Sequence, residues 1–188
     1  MLTCLVRDCK MNTNKNAPWQ WRGYPSDTNA ASFGQLSSFV DLWHSKSPQP
    51  GVFPAWRDFD IMDFEGWWGQ VSLAKIMNDP FDVKWILWGA KITYWWGIDY
   101  TNMRMSETSL IQDVWLNYER GYFQNLMNDR LIGYVSGTLA PQSRNYIFIR
   151  GVDLPLEANG KITHYLTAYQ KCTPDDTGAP EIDPIFII

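Results

Sequence analysis

Three strand-like segments in a row near the end of the sequence most constrain how this chain can fold. Leu131–Leu139, Asn145–Leu156 and Ile162–Gln170 are rich in β-branched and aromatic residues, as strands usually are. Asn159 and Gly160 lie between the last two segments, and an Asn-Gly pair is a strong signal for a hairpin turn. Strands joined by such short turns predict an antiparallel sheet, not the parallel sheet of a βαβ fold.

The segments before these strands predict helices and two further strands. They are a helix at Phe33–Lys46, a helix starting near Asp60 and stopping at Gly69, strands at Val71–Asn78 and Phe81–Trp88, a short helix at Ala90–Trp96, and a long helix at Leu110–Asn128. Ser109 and Gln112 have the spacing of a capping box at the start of the long helix. Strand runs split by helices predict an α+β fold.

The length of 188 residues fits one domain better than two. We expect an N-terminal extension at residues 1–31, partly loose, in which Trp19 and Trp21 dock on the domain or on a partner. The domain itself is expected at residues 32–171. The tail, residues 172–188, ends in the apolar run Ile185–Ile188, which we expect to dock on the domain or on a partner.

The net charge of −4 argues against a nucleic-acid-binding protein and against attachment to an anionic membrane. No apolar run reaches the roughly 20 residues that a membrane helix needs, and charged residues near the N-terminus interrupt any signal peptide. A cytoplasmic protein is therefore predicted. The three cysteines, Cys4, Cys9 and Cys172, are an odd number without a matching second pair, and the two histidines lie far apart in sequence. Neither a disulfide framework nor a zinc site is therefore favoured.

Several short motifs resemble a family of short bacterial PAS-like proteins over roughly residues 40–170. The motifs are Arg57–Asp60, Gly97–Thr101 and Val152–Leu156, the last followed by Asn159-Gly160. The resemblance implies a five-stranded antiparallel sheet with helices on one face, here with an N-terminal helical extension. The helices at Ala90–Trp96 and Leu110–Asn128 would roof a small pocket. Because PAS-type domains sense ligands or redox state, or pair with other domains, it implies a non-catalytic sensory or regulatory module.

Aromatic residues make up 15% of the chain and include 11 Trp, which supplies candidates for lining such a pocket. The candidate ligand-binding residues are Trp88, Tyr94, Trp95, Tyr118, Tyr122, Tyr146 and Phe148. Tyr and Trp each offer one polar atom within an apolar surface, as small-molecule sites require. The alternative is that these rings simply fill the core.

The sequence indicates no catalytic residues and names no cofactor. Neither His44 nor His164 lies in a recognisable motif, and phosphate-loop and haem-attachment patterns are lacking. The alternative function is a small-molecule enzyme of a cone-shaped α+β fold, with Asp58 or Asp60 as general base. The partners we expect are a small-molecule ligand, an unidentified protein and a second copy of the chain. The homodimer is suggested by Trp19, Trp21 and the apolar strand Tyr146–Ile149.

Overall fold

The computed structural model describes residues 19–108, 112–175 and 179–188 of the 188-residue chain. Seven strands are described: β1 (Trp19–Pro25), β2 (Val71–Asn78), β3 (Phe81–Trp88), β4 (Leu131–Leu139), β5 (Arg144–Ala158), β6 (Lys161–Cys172) and β7 (Phe186–Ile187). Four α-helices accompany them: α1 (Ser37–Lys46), α2 (Ala90–Trp96), α3 (Met105–Thr108) and α4 (Gln112–Asp129). Short 3-10 turns lie at Ala30–Leu36, Trp56–Asp58, Ile61–Phe64 and Ala140–Gln142.

One antiparallel sheet contains all seven of these strands, in the order β3-β2-β6-β5-β4-β1-β7. The α+β prediction is confirmed, whereas the prediction of five strands is wrong. The two additional strands lie at one edge and come from the segments expected to be the N-terminal extension and the tail. The amide of Trp21 donates to the carbonyl of Ile188, and the amide of Ile188 donates back to Trp21. Backbone pairing therefore holds both segments on the sheet.

The five strands predicted from the sequence are present at or near the expected residues. β2, β3 and β4 have the predicted bounds, while β5 and β6 each extend by a few residues. Asn159 and Gly160 have φ values of 53° and 73° between β5 and β6. Positive φ at both turn residues is what a type I′ hairpin turn requires, and Asn and Gly adopt it most easily.

The helix predicted to start at Asp60 is wrong, because only the 3-10 turn Ile61–Phe64 forms there. The predicted capping by Asp60 does occur, because its carboxylate accepts a hydrogen bond from the amide of Met62 at 3.0 Å. Gly66 and Gly69 then have positive φ values of 85° and 77°, which a helix cannot continue through.

The other three predicted helices are present in the structure. α1 begins later than predicted, after a 3-10 turn that is kinked at Gly34. α2 has the predicted bounds, and α4 covers the described part of the predicted long helix. The predicted capping box of Ser109 and Gln112 lies outside the described residues.

Helices cover both faces of the sheet, not one face as expected. Trp21 and Tyr24 lie three residues apart on β1 and therefore point to opposite faces. Tyr24 packs edge-on against Phe33, which leads into α1, with 5.8 Å between ring centroids. Trp19, on the same side of β1 as Trp21, packs against Trp96 of α2 at 6.2 Å. We call these the α1 face and the α4 face, because α4 joins α2 on the second one.

Candidate functional site

A cavity of about 130 Å³ lies on the α4 face, between the sheet and the helices α2, α3 and α4. The residues that line it are Trp19, Trp21, Trp85, Trp88, Trp96, Tyr100, Thr108, Glu119, Tyr122, Phe123, Val135, Pro141, Gln142, Asp153 and Tyr169. They come from five strands, three helices and two connections. The fold thus brings together side chains that are far apart in sequence, and most of them are aromatic.

The aromatic wall of the cavity is a continuous set of ring contacts. Trp88 packs against Tyr100 at 5.0 Å and lies perpendicular to Trp96 at 5.6 Å between centroids. Trp96 in turn contacts Tyr169 at 5.1 Å and Trp19 at 6.2 Å. Such tilted and edge-to-face pairs are favourable aromatic arrangements. They fix the rings in place around the space that they enclose.

Asp153 of β5 is the most buried carboxyl group in the cavity wall, with 2% of its surface exposed. The hydroxyl groups of Tyr122 and Thr167 donate to its two oxygens, each at 2.5 Å. Burial raises the pKa of Asp153, and these two hydrogen bonds act in the opposite direction. The carboxyl group is therefore positioned on both sides, but it is poorly solvated.

Gly133 makes the contact between Tyr122 and Asp153 possible. It pairs with Asp153 across the sheet, and a β-carbon at this position would collide with the Tyr122 hydroxyl and lie 2.7 Å from a methyl carbon of Leu126. A larger residue would therefore push α4 away from β4 or break the hydrogen bond to Asp153.

Glu119 of α4 supplies a second carboxyl group to the cavity. The residue as a whole is half-buried, yet burial of its carboxyl group raises the pKa to about 7, with a smaller contribution from the charge of Asp153. The hydroxyls of Tyr122 and Tyr169 also have pKa values well above the usual one, first because they are buried and then because Asp153 is close. Near neutral pH the cavity can therefore change its charge by one proton on Glu119.

Two polar atoms of the cavity wall have no hydrogen-bond partner among the described residues. One is the indole nitrogen of Trp88, a donor on a side chain that is 7% exposed; the other is the Oε1 acceptor of Gln142. Buried polar atoms are rarely left in this state. Both atoms are shielded from the cavity space in this conformation, so a ligand would reach them only if neighbouring side chains move.

The cavity contains two of the predicted binding residues, Trp88 and Tyr122. Trp95 is buried in the adjoining aromatic cluster without lining the cavity, and Phe148 is half-buried in β5. Neither of these two is brought to the cavity.

The remaining three predicted residues are exposed and do not line the cavity. Tyr94 is 75% exposed, Tyr146 is 72% exposed, and Tyr118 is 42% exposed. Each lies on a predicted element, but its side chain points away from the enclosed space. The helical and strand periodicities identified the elements and could not give the face for every ring.

Sequence reasoning missed Glu119, Asp153 and the two tryptophans of β1 as lining residues. A signal for Asp153 was present, because this residue interrupts the apolar run from Val152 to Leu156. An acidic residue inside a buried strand needs a local partner or a function. The alternation Trp19-Gln-Trp21 was a strand signal, although a short one in a polar segment.

The carboxylates proposed as general bases lie elsewhere, on an exposed surface. Asp58 accepts a hydrogen bond from the amide of Ala55 at 2.7 Å, and Asp60 caps the turn at Met62. Their neighbour Asp63 forms an ion pair with Lys46 at 2.7 Å. These hydrogen bonds and the ion pair account for the acidic cluster as turn capping.

The two histidines of the chain lie outside the cavity lining. The Nε2 atom of His44, in the last turn of α1, is 3.0 Å from the carbonyl oxygen of Ser26. His164 of β6 is half-buried, and this burial lowers its pKa, with a smaller contribution from Lys75. Within the described ranges, no group of three or more His, Cys, Asp or Glu residues is arranged to hold a metal ion.

An exposed apolar surface lies outside the cavity, around the 3-10 turns that precede β2. Its most exposed members are Ile61, Met62 and Trp68, with Trp56 and Leu87 beside them. A groove of about 530 Å³ runs along most of this surface. Exposed apolar surfaces of this kind are common at contacts with other proteins.

The fold and the cavity together define an α+β protein with a seven-stranded antiparallel sheet and an aromatic, acidic cavity on one face. Comparison with known proteins gives no match to a family model, to a curated protein or to a solved structure. No α-helix among residues 19–108, 112–175 and 179–188 is long and apolar enough to cross a membrane. Function must therefore be argued from the geometry of the cavity.

Proposed function

We propose that the protein is a non-catalytic sensory or regulatory module of the PAS type, whose cavity binds a small molecule. Strands β2–β6 form a contiguous antiparallel block, and α2, α3 and α4 lie between β3 and β4 in sequence. This central block and the helices inserted within it support the proposal. β1 and β7 extend the block at one edge.

The observation that carries the proposal is the unpartnered indole N–H of Trp88 in the wall of an aromatic cavity. Leaving a buried donor without an acceptor costs about 1–3 kcal/mol. A core under selection for stability alone would place this N–H on a carbonyl group, as Trp43 does with Pro155 at 2.8 Å. A ligand that supplies the acceptor recovers that free energy on binding.

Native mass spectrometry of the freshly purified protein tests the proposal. We expect a mass above that of the chain, lost on denaturation, or a shift in unfolding temperature with at least one member of a small-molecule library. The Val135→Trp variant fills the cavity from β4 and should abolish both signals, while Tyr146→Ala, on an exposed site, should retain them. A bare mass, together with no stabilisation by any compound, would contradict ligand binding.

A sensory module without catalysis passes its signal by contact, so a protein partner and homodimerisation remain part of the proposal. Trp19 and Trp21, which suggested a dimer, are used by the cavity instead. Tyr146 and the exposed apolar surface around Trp68 remain available for a contact. Light scattering at high micromolar concentration should show a dimer; a monomer at every concentration would remove homodimerisation from the proposal.

The alternative is an enzyme that uses Asp58 or Asp60 as a general base. It has less support, because both side chains are exposed and engaged in capping, and neither faces the cavity. A cytoplasmic location is also proposed, from the acidic composition. Cell fractionation of the tagged protein tests that location.

A further inference from the structure

We infer that the ligand of this cavity is a small organic cation, an ammonium group with methyl or similar substituents and a nearby oxygen. The inference rests on the proposed function, since it requires the cavity to bind a ligand. It adds the chemical class of that ligand, and it follows from the aromatic lining, the acidic groups and the size of the cavity.

The aromatic wall favours a cation. A cation over the face of an aromatic ring is attracted by the ring quadrupole, most strongly with Trp. Among the described side chains, five tryptophans line this cavity: Trp19, Trp21, Trp85, Trp88 and Trp96. Aromatic cages of this composition are a known solution for alkylated ammonium groups.

The acidic groups of the cavity wall also favour a cationic ligand. Glu119 and Asp153 are the charged groups that line the cavity within the described residues, and no Lys or Arg is among the lining side chains. An anionic ligand would meet two carboxyl groups in a poorly solvated space, which is strongly unfavourable. An uncharged aromatic ligand would suit the rings but would leave these carboxyl groups without a counter-charge.

The size of the cavity limits the ligand to a few heavy atoms. A cavity of roughly 150 Å³ holds benzene, and this one measures about 130 Å³. Tetramethylammonium has one heavy atom fewer than benzene, so a trimethylammonium head fits the cavity, while a longer arm such as that of choline must extend toward its open side.

Choline and 3,3-dimethylbutan-1-ol form a matched pair of probes for this inference. They have nearly the same shape and the same hydroxyl arm, but the quaternary nitrogen of choline is replaced by carbon in the alcohol. Quenching of the tryptophan fluorescence, with calorimetry as a second measurement, reports binding of both. We expect choline to bind at least tenfold more tightly than the alcohol.

Glu119→Gln removes the titrating carboxylate while it keeps the shape of the side chain, and should weaken choline binding about tenfold or more. Glu65→Gln is the matched control, because it removes the same charge from an exposed site outside the cavity. It should leave the affinity unchanged. If both variants lost the same choline affinity, the effect would come from the overall charge of the protein. The proposed role of the Glu119 carboxylate would then be wrong.

The pH dependence gives an independent readout. The groups that face Glu119 are Asp153 of β5, Tyr169 of β6 and Tyr100 of the loop after α2. Choline has a permanent charge, so its affinity should fall several-fold between pH 8 and pH 6 as Glu119 takes up a proton. The dependence should be weaker in Glu119→Gln, and an equal dependence in both proteins would contradict the assignment.

The outcomes separate the inference from the proposed function. If the alcohol binds as tightly as choline, the cavity is a ligand site and the cation inference is wrong. If neither probe binds at millimolar concentration, the inference also fails, and native mass spectrometry with the Val135→Trp variant then decides the proposed function. Both the inference and the proposed function would be wrong only if the purified protein carries no bound molecule and no compound stabilises it.

Discussion

The two faces of the sheet use the same kinds of side chain for different purposes. On the α1 face, Phe39 and Trp43 are buried, and the indole N–H of Trp43 donates to a backbone carbonyl. On the α4 face, Trp88 is also buried, but its N–H has no partner, and it lies in a cavity beside Glu119 and Asp153. Aromatic content alone therefore does not identify a site. Between these two tryptophans, what differs is the indole N–H, which is satisfied for Trp43 and lacks a partner among the described residues for Trp88.

The largest expected effect is a loss of stability on the α1 face. Trp43→Ala removes a ring that is 1% exposed together with its hydrogen bond, and should lower the free energy of unfolding by about 3–5 kcal/mol. Urea denaturation measures this loss. Tyr146→Ala, on an exposed ring, should stay within about 0.5 kcal/mol of wild type. A loss below about 1 kcal/mol for Trp43→Ala would mean that the α1 face is not the stable half of the core.

A matched pair of glycine substitutions should have effects of opposite sign. Gly133→Ala places a β-carbon against the Tyr122 hydroxyl, so it should cost about 1–3 kcal/mol and weaken ligand binding by displacing Tyr122. Gly121→Ala on α4 meets no atom within 4 Å and should stabilise the helix by up to about 1 kcal/mol. Thermal unfolding of both variants measures this contrast. Equal changes at the two positions would show that α4 does not approach β4 as closely as described.

The smallest expected effect is a stabilisation on the α4 face. Glu119 has a pKa raised to about 7, against roughly 4.3 in an unfolded chain. The folded state therefore holds the proton more tightly, and wild-type stability falls as the pH rises from the lower value to the higher one. The Glu119→Gln variant has no carboxyl group at this position and should not lose stability in this way. Allowing for partial exposure, it should exceed wild type by about 1 kcal/mol more at pH 8 than at pH 5.

Unfolding at pH 5 and pH 8, with wild type and variant in the same buffers, measures that difference. Comparing the two proteins at each pH cancels most of the titration of Asp153. A gap that does not change with pH would mean that the Glu119 carboxyl is solvated and not buried in the cavity. If Glu119→Gln is more stable than wild type at pH 8 and also binds choline more weakly, Glu119 is retained for binding at the expense of stability.

The sequence predicted the central strands well, because their signals are local. Alternating apolar residues and the Asn159-Gly160 turn act over a few positions, and they defined β2–β6 almost to the residue. The edge strands β1 and β7 were not predicted. Each is short and depends on pairing with residues far away in the chain, such as Trp21 with Val135, for which local sequence carries little signal.

The cavity was only partly predictable for the same physical reason. Trp88 and Tyr122 were named from elements whose periodicity is clear, yet Tyr94 and Tyr146 carry the same residue types and point into solvent. Glu119 was not singled out, because the burial that raises its pKa arises only when α4 packs against β4 and β1. Side-chain direction and burial depend on tertiary contacts that periodicity does not give.

β1 lies between β4 and β7, and it also carries Trp19 and Trp21 into the cavity. The amide of Ile188 is held by the carbonyl of Trp21 at 2.8 Å. A ligand that immobilises the two indole rings would consequently slow hydrogen–deuterium exchange at this outermost amide. The edge formed by β1 and β7 would then differ between the free and the ligand-bound protein. A partner could detect the bound state there without contacting the cavity.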